Sequence, residues 1–184
     1  MPNILFTADT HFGHKNIISH CNRPFKDIDE HDEVLVRNWN AKVSKGDTVY
    51  HLGDFALCST KRARDILASL NGKVTLIRGN HDKAVKGSYV QEFEKVCDYL
   101  EITVEEQKIC LMHFPIESWN KAHYGSWHLH GHSHGSLQAS PDRKRLDVGV
   151  DCWGYIPVCF EEIREEMNRR GFAKIDHHND KRPR

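Results

Sequence analysis

The sequence predicts an α/β fold, and three observations lead to that prediction. Short apolar runs recur along the 184 residues, amphipathic helical patterns lie between them, and polar clusters follow several of the runs directly. Short apolar runs are typical of buried strands, whereas apolar positions three or four residues apart are typical of helices. Because the loops that follow the strands of an α/β sheet converge, polar residues there are placed to form a site.

Eight apolar runs predict strands. The first four, each followed at once by a polar cluster, are residues 3–8, 48–52, 74–77 and 108–112. The other four are residues 102–105, 127–130, 146–150 and 156–160. Their length is that of strands buried in a sheet.

Three segments between the strands predict helices that pack against the sheet. In residues 60–70, Thr60 is suited to cap the helix and Asn71-Gly72 to end it. The other two helices are predicted at residues 32–43 and 161–170, with apolar positions on one side of each.

The length favours one domain, predicted over residues 1–175, followed by a polar, disordered tail at 176–184. The 26 basic residues balance the 26 acidic ones, which argues against a broad surface for duplex DNA or an anionic membrane. Six cysteines without a CxxC pair predict free thiols in a reducing compartment. No signal peptide or membrane-length apolar run is found, so we expect a cytoplasmic protein; the oligomeric state stays open.

Five short clusters carry the residues that predict chemistry. They are Asp9-Thr10-His11, Gly53-Asp54, Gly79-Asn80-His81-Asp82, His113-Phe114-Pro115 and Gly131-His132-Ser133-His134. Each cluster alone has an ordinary explanation, such as a turn aspartate or a chance pair of histidines. Carboxylate, imidazole and amide ligands without a thiolate suit Mn, Fe or Zn acting on an oxygen substrate, rather than a structural zinc site.

Local spacing indicates a role for some of these residues. Asp9 and His11 lie two apart, so in an extended segment both side chains face one metal ion. Asp54 has two carboxylate oxygens and is our candidate to bridge two ions. His81, next to Asn80, is our candidate general acid for a leaving alkoxide.

In this order the five clusters resemble the calcineurin-like metallophosphoesterase superfamily, over residues 3–135 and with all seven metal-ligand positions filled. The resemblance implies two mixed β-sheets packed face to face as a sandwich, flanked by helices in a four-layer arrangement. It implies two metal positions. The first would be formed by Asp9, His11, Asp54 and His134, and the second by Asp54, Asn80, His113 and His132.

The chain departs from the protein-phosphatase branch of that superfamily. There a further Asp and an Arg follow the Gly-Asp segment, whereas here it continues as Phe55-Ala56-Leu57-Cys58. A doubly charged monoester would find no arginine there to bind its phosphate with two hydrogen bonds. A diester carries a single charge and needs that arginine less. The sequence therefore favours a phosphodiesterase acting on a small or nucleotide-type phosphoester. The alternatives are a phosphomonoesterase, which would need Arg23 or Lys15 near the phosphate, and a non-catalytic metal-binding scaffold.

The expected mechanism uses two divalent metal ions, with Mn²⁺ the preferred activator in vitro and Fe, Zn or Ni as alternatives. A hydroxide that bridges the two ions would attack phosphorus in line, and His81 would protonate the leaving oxygen.

Residues 12–29 form a long polar connection whose role the sequence leaves open. Arg23, His14 and Asn16 are predicted to contact the substrate, although a solvated surface loop explains each of them equally well. His128 and His130 share strand parity with His132, but the two ions already have four ligands each. We therefore expect these two histidines to have structural or supporting roles.

Overall fold

The computed structural model describes residues 2–85, 87–137, 141–171 and 173, and the predicted tail at 176–184 lies outside these residues. The strands are β1 (Ile4–Thr7), β2 (Thr48–His51), β3 (Lys73–Ile77), β4 (Lys95–Cys97), β5 (Tyr99–Val104), β6 (Gln107–Met112), β7 (Trp127–His130), β8 (Arg145–Asp147) and β9 (Val158–Cys159). The α-helices are α1 (Ile17–His20), α2 (Ile28–Lys42), α3 (Thr60–Ser69) and α4 (Phe160–Asn168). Short 3₁₀ helices span Asp82–Ala84, Gly87–Glu92, Ala122–Tyr124 and Val150–Cys152.

A five-stranded sheet has the order β4-β3-β2-β1-β9. Strands β1 to β4 are mutually parallel, and β9 runs antiparallel to β1. Because β1, β2 and β3 are parallel, their carboxyl ends lie at the same edge of the sheet.

A four-stranded sheet has the order β5-β6-β7-β8. Strand β5 is antiparallel to β6, while β6, β7 and β8 are mutually parallel. The carboxyl ends of β6 and β7 therefore also share one edge.

The two sheets pack face to face around an apolar core. Phe6, Leu52 and Ile77 come from the first sheet, and Leu111 and Leu129 from the second; each is fully buried. Replacing one such large side chain by alanine costs about 2–5 kcal/mol of stability. A parallel bridge between Ala8 and Gly149 joins the end of β1 to the segment after β8, so the strand-end loops of both sheets meet at one end of the sandwich.

Helices and a loop cover the sandwich. Trp39 of α2 and Leu67 of α3 pack in a second apolar cluster with Leu5 and Val74 of the first sheet. Helix α4 joins the core between the sheets through residues that include Ile163. On the outer face of the second sheet, a small cluster of Cys110, Trp119 and Ala122 lies under an irregular segment and a 3₁₀ helix.

The predicted fold class, two mixed sheets flanked by helices, is confirmed, as are the eight strands and three helices. Strand β4 and helix α1 were not predicted. Helix α2 begins at Ile28, earlier than expected, because the Asp27 side chain caps it by accepting from Asp29 N and Glu30 N. The run at 156–160 becomes a two-residue strand that leads into α4.

Two further expectations concern thiols and membranes. All six cysteines are unpaired thiols, as predicted. None of the helices in the described part of the chain is long and apolar enough to cross a bilayer.

Candidate metal centre

The seven predicted ligands lie on the loops that follow β1, β2, β3, β6 and β7. Five of them adopt a left-handed backbone conformation, namely Asp9 (φ 57°), His11 (φ 50°), Asp54 (φ 56°), His132 (φ 69°) and His134 (φ 47°). This conformation costs a residue with a Cβ about 1–2 kcal/mol. Such strain persists where the surrounding structure imposes it, and it concentrates at functional sites. Its occurrence at five of the predicted ligands marks these loops as a functional site.

The residues predicted for the first metal position lie around one point. Ligand atoms of Asp9, His11 and His134 are all within 4.8 Å of one another. The Nε2 atom of His11 is 3.5 Å from Oδ2 of Asp54. His134 donates from Nδ1 to Oδ2 of Asp151 (2.7 Å), which leaves its Nε2 atom as the potential ligand.

The residues predicted for the second metal position form a neighbouring group. The Asn80 amide oxygen is 3.1 Å from Nε2 of His113 and 3.1 Å from Nδ1 of His132. His113 donates from Nδ1 to the Leu52 carbonyl (2.8 Å), so its Nε2 atom faces the group.

Asp54 lies between the two groups. Its Oδ2 atom is 3.5 Å from His11 Nε2 on one side and 3.6 Å from His113 Nε2 on the other. One carboxylate that faces both groups has the position required of a bridging ligand.

The charge balance of this centre suits divalent cations. Nε2 of His11 is buried and has no hydrogen-bond partner among the described residues. Burial, followed by the charge of His134, lowers the pKa of His11, while burial and then the charge of Asp147 raise the pKa of Asp9 well above its ordinary value. Neutral imidazoles and desolvated carboxylates gain favourable ligation from a cation. The residues present therefore fit a metal centre.

Glycines leave room for the carboxylates. A Cβ atom on Gly79 would lie 2.2 Å from Oδ1 of Asp54, and one on Gly131 would lie 2.7 Å from Oδ2 of Asp9. Both distances are too short for any side chain. Gly79 and Gly131 are thus explained by close approach to the two carboxylates.

Asp82 supports the loop of the candidate bridge. It is buried, and its carboxylate accepts hydrogen bonds from the backbone amides of Asp54 (2.7 Å), Phe55 (2.9 Å) and Gly79 (2.8 Å). These bonds tie the loop after β2 to the loop after β3.

A cleft of about 730 Å³ opens over the centre. The predicted acid, His81, borders it with a 40% exposed side chain, and Nε2 of His81 is 4.0 Å from Oδ2 of Asp54. The cleft is lined by His11, His14, Ile17, His20, Cys21, Asn22, Asp54, Asn80, His81, His132, Ser133, His134 and Ser136.

Arg23 lies elsewhere than predicted. Its side chain is buried and does not line the cleft, and its guanidinium donates to Asp151, His31 and two backbone carbonyls. The predicted contact between Arg23 and the substrate phosphate is therefore not made, because every nitrogen of the guanidinium is already bonded within the protein.

The other two predicted substrate contacts differ from each other. His14 lines the cleft, with its Nδ1 atom 3.2 Å from Nδ1 of His11. Asn16 is exposed at the start of α1 and is not part of the cleft lining. The contact predicted for His14 is thus compatible with the cleft, whereas the structure places Asn16 outside it.

His128 and His130 belong to neither metal group. Both are buried; His128 Nδ1 is bonded to the Cys110 carbonyl (3.1 Å), and His130 Nδ1 to the Gly131 carbonyl (2.8 Å). These contacts hold β7 and the start of the ligand loop, in line with a structural role.

Sequence reasoning assigned no role to three residues beside the centre. Asp82 stood inside a recognised cluster but showed no signal of its backbone contacts. Asp151 lies 17 residues after His134 in the chain, and its carboxylate accepts a hydrogen bond from the His134 ring. Phe114 is 39% exposed, with its ring 4.7 Å from that of His132. An aromatic residue directly after a predicted ligand was the signal available in the sequence.

Comparison with known proteins connects this centre to a family. Residues 3–147 match the family model described as the calcineurin-like phosphoesterase superfamily domain. An uncharacterized protein of Methanocaldococcus jannaschii is 38% identical over 170 residues, covering 89% of this chain and 90% of that protein. The gene 66 protein of Mycobacterium phage L5 is 32% identical over 199 residues, covering 91% of this chain and 95% of that protein.

A solved structure has a similar fold. The crystal structure of a protein of unknown function from Aquifex aeolicus superposes with a TM-score of 0.73 at 24% identity, covering 90% of this chain and 100% of that one. The chain belongs to the calcineurin-like phosphoesterase superfamily, whose members use divalent metal ions to hydrolyse phosphoester bonds.

Proposed function

We propose that this phosphoesterase is a phosphodiesterase that binds two divalent cations and hydrolyses a small or nucleotide-type diester. The observation that carries the proposal is the lining of the cleft. Within the described residues, that lining contains six histidines and no Lys or Arg; the histidines are His11, His14, His20, His81, His132 and His134. A substrate phosphate therefore finds no fixed guanidinium or ammonium group there.

The charge of the substrate follows from this lining. A monoester phosphate carries close to two negative charges at neutral pH and is commonly gripped by a bidentate arginine. Arg23 is buried in other contacts, and Lys15 is exposed without lining the cleft. A diester, with its single charge, needs less positive charge from the protein.

The proposed metal ligands are those of the two groups already described. Asp9, His11 and His134 would hold one ion, Asn80, His113 and His132 the other, and Asp54 both. Bound there, two cations would supply a hydroxide nucleophile at neutral pH and neutralise charge on the phosphoryl group. Nitrogen and oxygen ligands without sulfur favour Mn²⁺, with Fe, Zn or Ni as alternatives.

His81 is proposed to donate the proton that the leaving oxygen needs. Its backbone amide donates to Oδ1 of Asp54 (2.8 Å), which fixes the residue beside the centre. Its ring makes no hydrogen bond among the described residues, and its Nε2 atom lies 4.0 Å from Oδ2 of Asp54, so the ring can meet a leaving group in the cleft. A positioned proton donor typically contributes about 10²–10⁴-fold in rate.

The test compares two esters that share one chromophore. Metal-stripped protein, with Mn²⁺, Fe²⁺, Zn²⁺ or Ni²⁺ added singly, is assayed on bis-p-nitrophenyl phosphate and on p-nitrophenyl phosphate. We expect metal-dependent turnover that favours the diester, and a kcat loss of about 10²–10⁴-fold in His81→Ala. His123→Ala is the matched control, because His123 lies outside the cleft lining.

The possible results separate the candidate functions. Preference for the monoester would support a phosphomonoesterase instead. Bound metal without turnover of either ester would support a non-catalytic scaffold. Full activity of His81→Ala would remove His81 from the mechanism and leave the diester preference intact.

A further inference from the structure

Arg23 is a buried cation placed behind the metal centre. Its side chain is fully buried, and Nη2 donates to the Asp9 carbonyl (2.7 Å) while Nη1 donates to the Thr10 carbonyl (3.2 Å). These carbonyls belong to the segment in which Asp9 and His11 hold left-handed backbone conformations. The guanidinium thus secures the strained segment that carries two proposed ligands of the first metal position.

The same guanidinium reaches a third ligand through one carboxylate. Nε and Nη2 of Arg23 donate to the two oxygens of Asp151 at 2.8 Å and 2.7 Å, and His134 Nδ1 donates to Oδ2 of Asp151 at 2.7 Å. A bidentate pair of this kind fixes the carboxylate in orientation as well as in position. Asp151 therefore holds the His134 ring with its Nε2 atom free for a metal ion.

Arg23 is itself held from the protein side. Its Nη1 atom donates to Nε2 of the buried His31 (2.8 Å), and His31 Nδ1 donates to Oδ1 of Asp32 (2.8 Å). Asp32 also accepts from the amide of Gly13 and from Arg62. A continuous series of hydrogen bonds therefore runs from Arg62, near the surface, to His134.

The two histidines of the second metal position have no comparable support. His113 is oriented by the neutral Leu52 carbonyl (2.8 Å), and His132 contacts Asn80, itself a proposed ligand (3.1 Å). Among the described residues, no arginine or non-ligand carboxylate bonds either histidine.

We propose that Arg23 is a positioning residue, and that its contacts to the Asp9 segment and to Asp151 make the first metal position bind its ion more tightly than the second. This inference rests on the proposed metal ligands. Preorganised ligands bind more tightly because they lose less freedom when the ion arrives, and loss of a group that orients a ligand typically lowers metal affinity about 10–100-fold.

The test is a Mn²⁺ titration by calorimetry, without substrate. We expect the wild-type chain to show one tight and one weak class of site. Arg23→Met should weaken the tight class by about 10–100-fold and leave the weak class unchanged. Arg23→Lys keeps the positive charge but cannot make the bidentate contact. Its affinity for the tightly bound ion should therefore lie between those of the wild type and Arg23→Met.

The chain offers a matched control in Arg170. Its Nε and Nη2 atoms donate to Oε1 of Glu166 (3.2 Å and 2.8 Å) and Nη1 donates to the Arg145 carbonyl (2.6 Å), so it also joins one carboxylate to one backbone carbonyl but lies away from the proposed ligands. Arg170→Met should leave both classes unchanged. Circular dichroism of each variant checks that it is folded.

Several results would overturn the inference. These are a folded Arg23→Met chain that keeps its tight class, one that loses both classes equally, and a wild-type chain with two equal sites. Should Arg23→Met not fold, Asp151→Asn decides: it keeps the shape of the side chain, and an unchanged tight class in that variant overturns the inference. A chain that binds two unequal ions but hydrolyses no diester contradicts the proposed function alone.

Discussion

The two proposed metal positions share Asp54 but differ in how their other ligands are held. At the first position, Asp9 and His11 are buried, and the ring of His134 is oriented by a carboxylate that Arg23 grips with two bonds. At the second position, His113 is also buried, but His132 is exposed. Its Nδ1 atom is 3.1 Å from the oxygen of Asn80, another proposed ligand.

We infer from this difference that the two proposed positions have different tasks. Buried ligands held by charged hydrogen bonds keep their geometry when the cleft fills and empties, because each bond would have to be broken in a dry environment. Exposed ligands with neutral partners adapt more readily to a substrate. We therefore expect the first position to retain its ion and the second to lie closer to the substrate.

Replacing the shared ligand is the strongest way to break this comparison. Asp54→Asn keeps the size of the side chain and removes its charge from both positions. We expect loss of both classes of Mn²⁺ site, with affinity falling more than the roughly 10–100-fold typical of a supporting residue, and loss of diester hydrolysis. Calorimetry and the ester assay measure the two effects. Asp65→Asn, in an exposed ion pair with Lys61, is the control, and a variant that still binds two ions would contradict the bridging role.

Removing one histidine from each position distinguishes the two directly. His134→Ala should abolish or weaken the tight class, and His132→Ala the weak class, each by about tenfold or more. Calorimetric titration of the two variants and of the wild-type chain measures the Mn²⁺ affinity of each class. If both substitutions weakened the same class, the division into two separate positions would be wrong.

The smallest expected effect concerns the substrate side of the second position. The exposed ring of Phe114 lies 4.7 Å from that of His132, where it could stack on a nucleobase. Phe114→Ala should raise KM for a nucleoside p-nitrophenyl phosphodiester about tenfold, the size of one base–aromatic stacking contact, and leave KM for methyl p-nitrophenyl phosphate unchanged. Phe114→Tyr should behave as the wild type. Equal changes for both esters would exclude stacking.

Much of the fold was predictable because its signals are local. The apolar runs predicted for β1, β2, β3 and β6 ended within one residue of the strands, and each polar cluster lay on the loop that follows. Strand β4 was not predicted because its three residues, Lys95 to Cys97, form no apolar run. Their place in the sheet depends on pairing with β3, which the local sequence does not show. The early start of α2 depended on the Asp27 cap, which precedes the apolar stripe.

Arg23 shows the limit of reading contacts from a sequence. In the chain it stands in a polar stretch before a proline, a pattern typical of a solvated loop, and its charge suggested a phosphate contact. The structure pairs it with Asp151, 128 residues later. No local pattern predicts that pairing, because the burial of an arginine depends on a partner that arrives from a distant part of the chain.

The sequence by itself determined the fold class and the family, and it predicted the ligands of a metal centre, since apolar periodicity and short motifs are properties of neighbouring residues. Only the tertiary structure decided which ligands are anchored, where the positive charge lies and what borders the cleft. Those properties depend on hydrogen bonds and burial between segments far apart in the chain, such as the one that joins Arg23, Asp151 and His134. The local sequence around each of these residues does not show which distant residues it contacts.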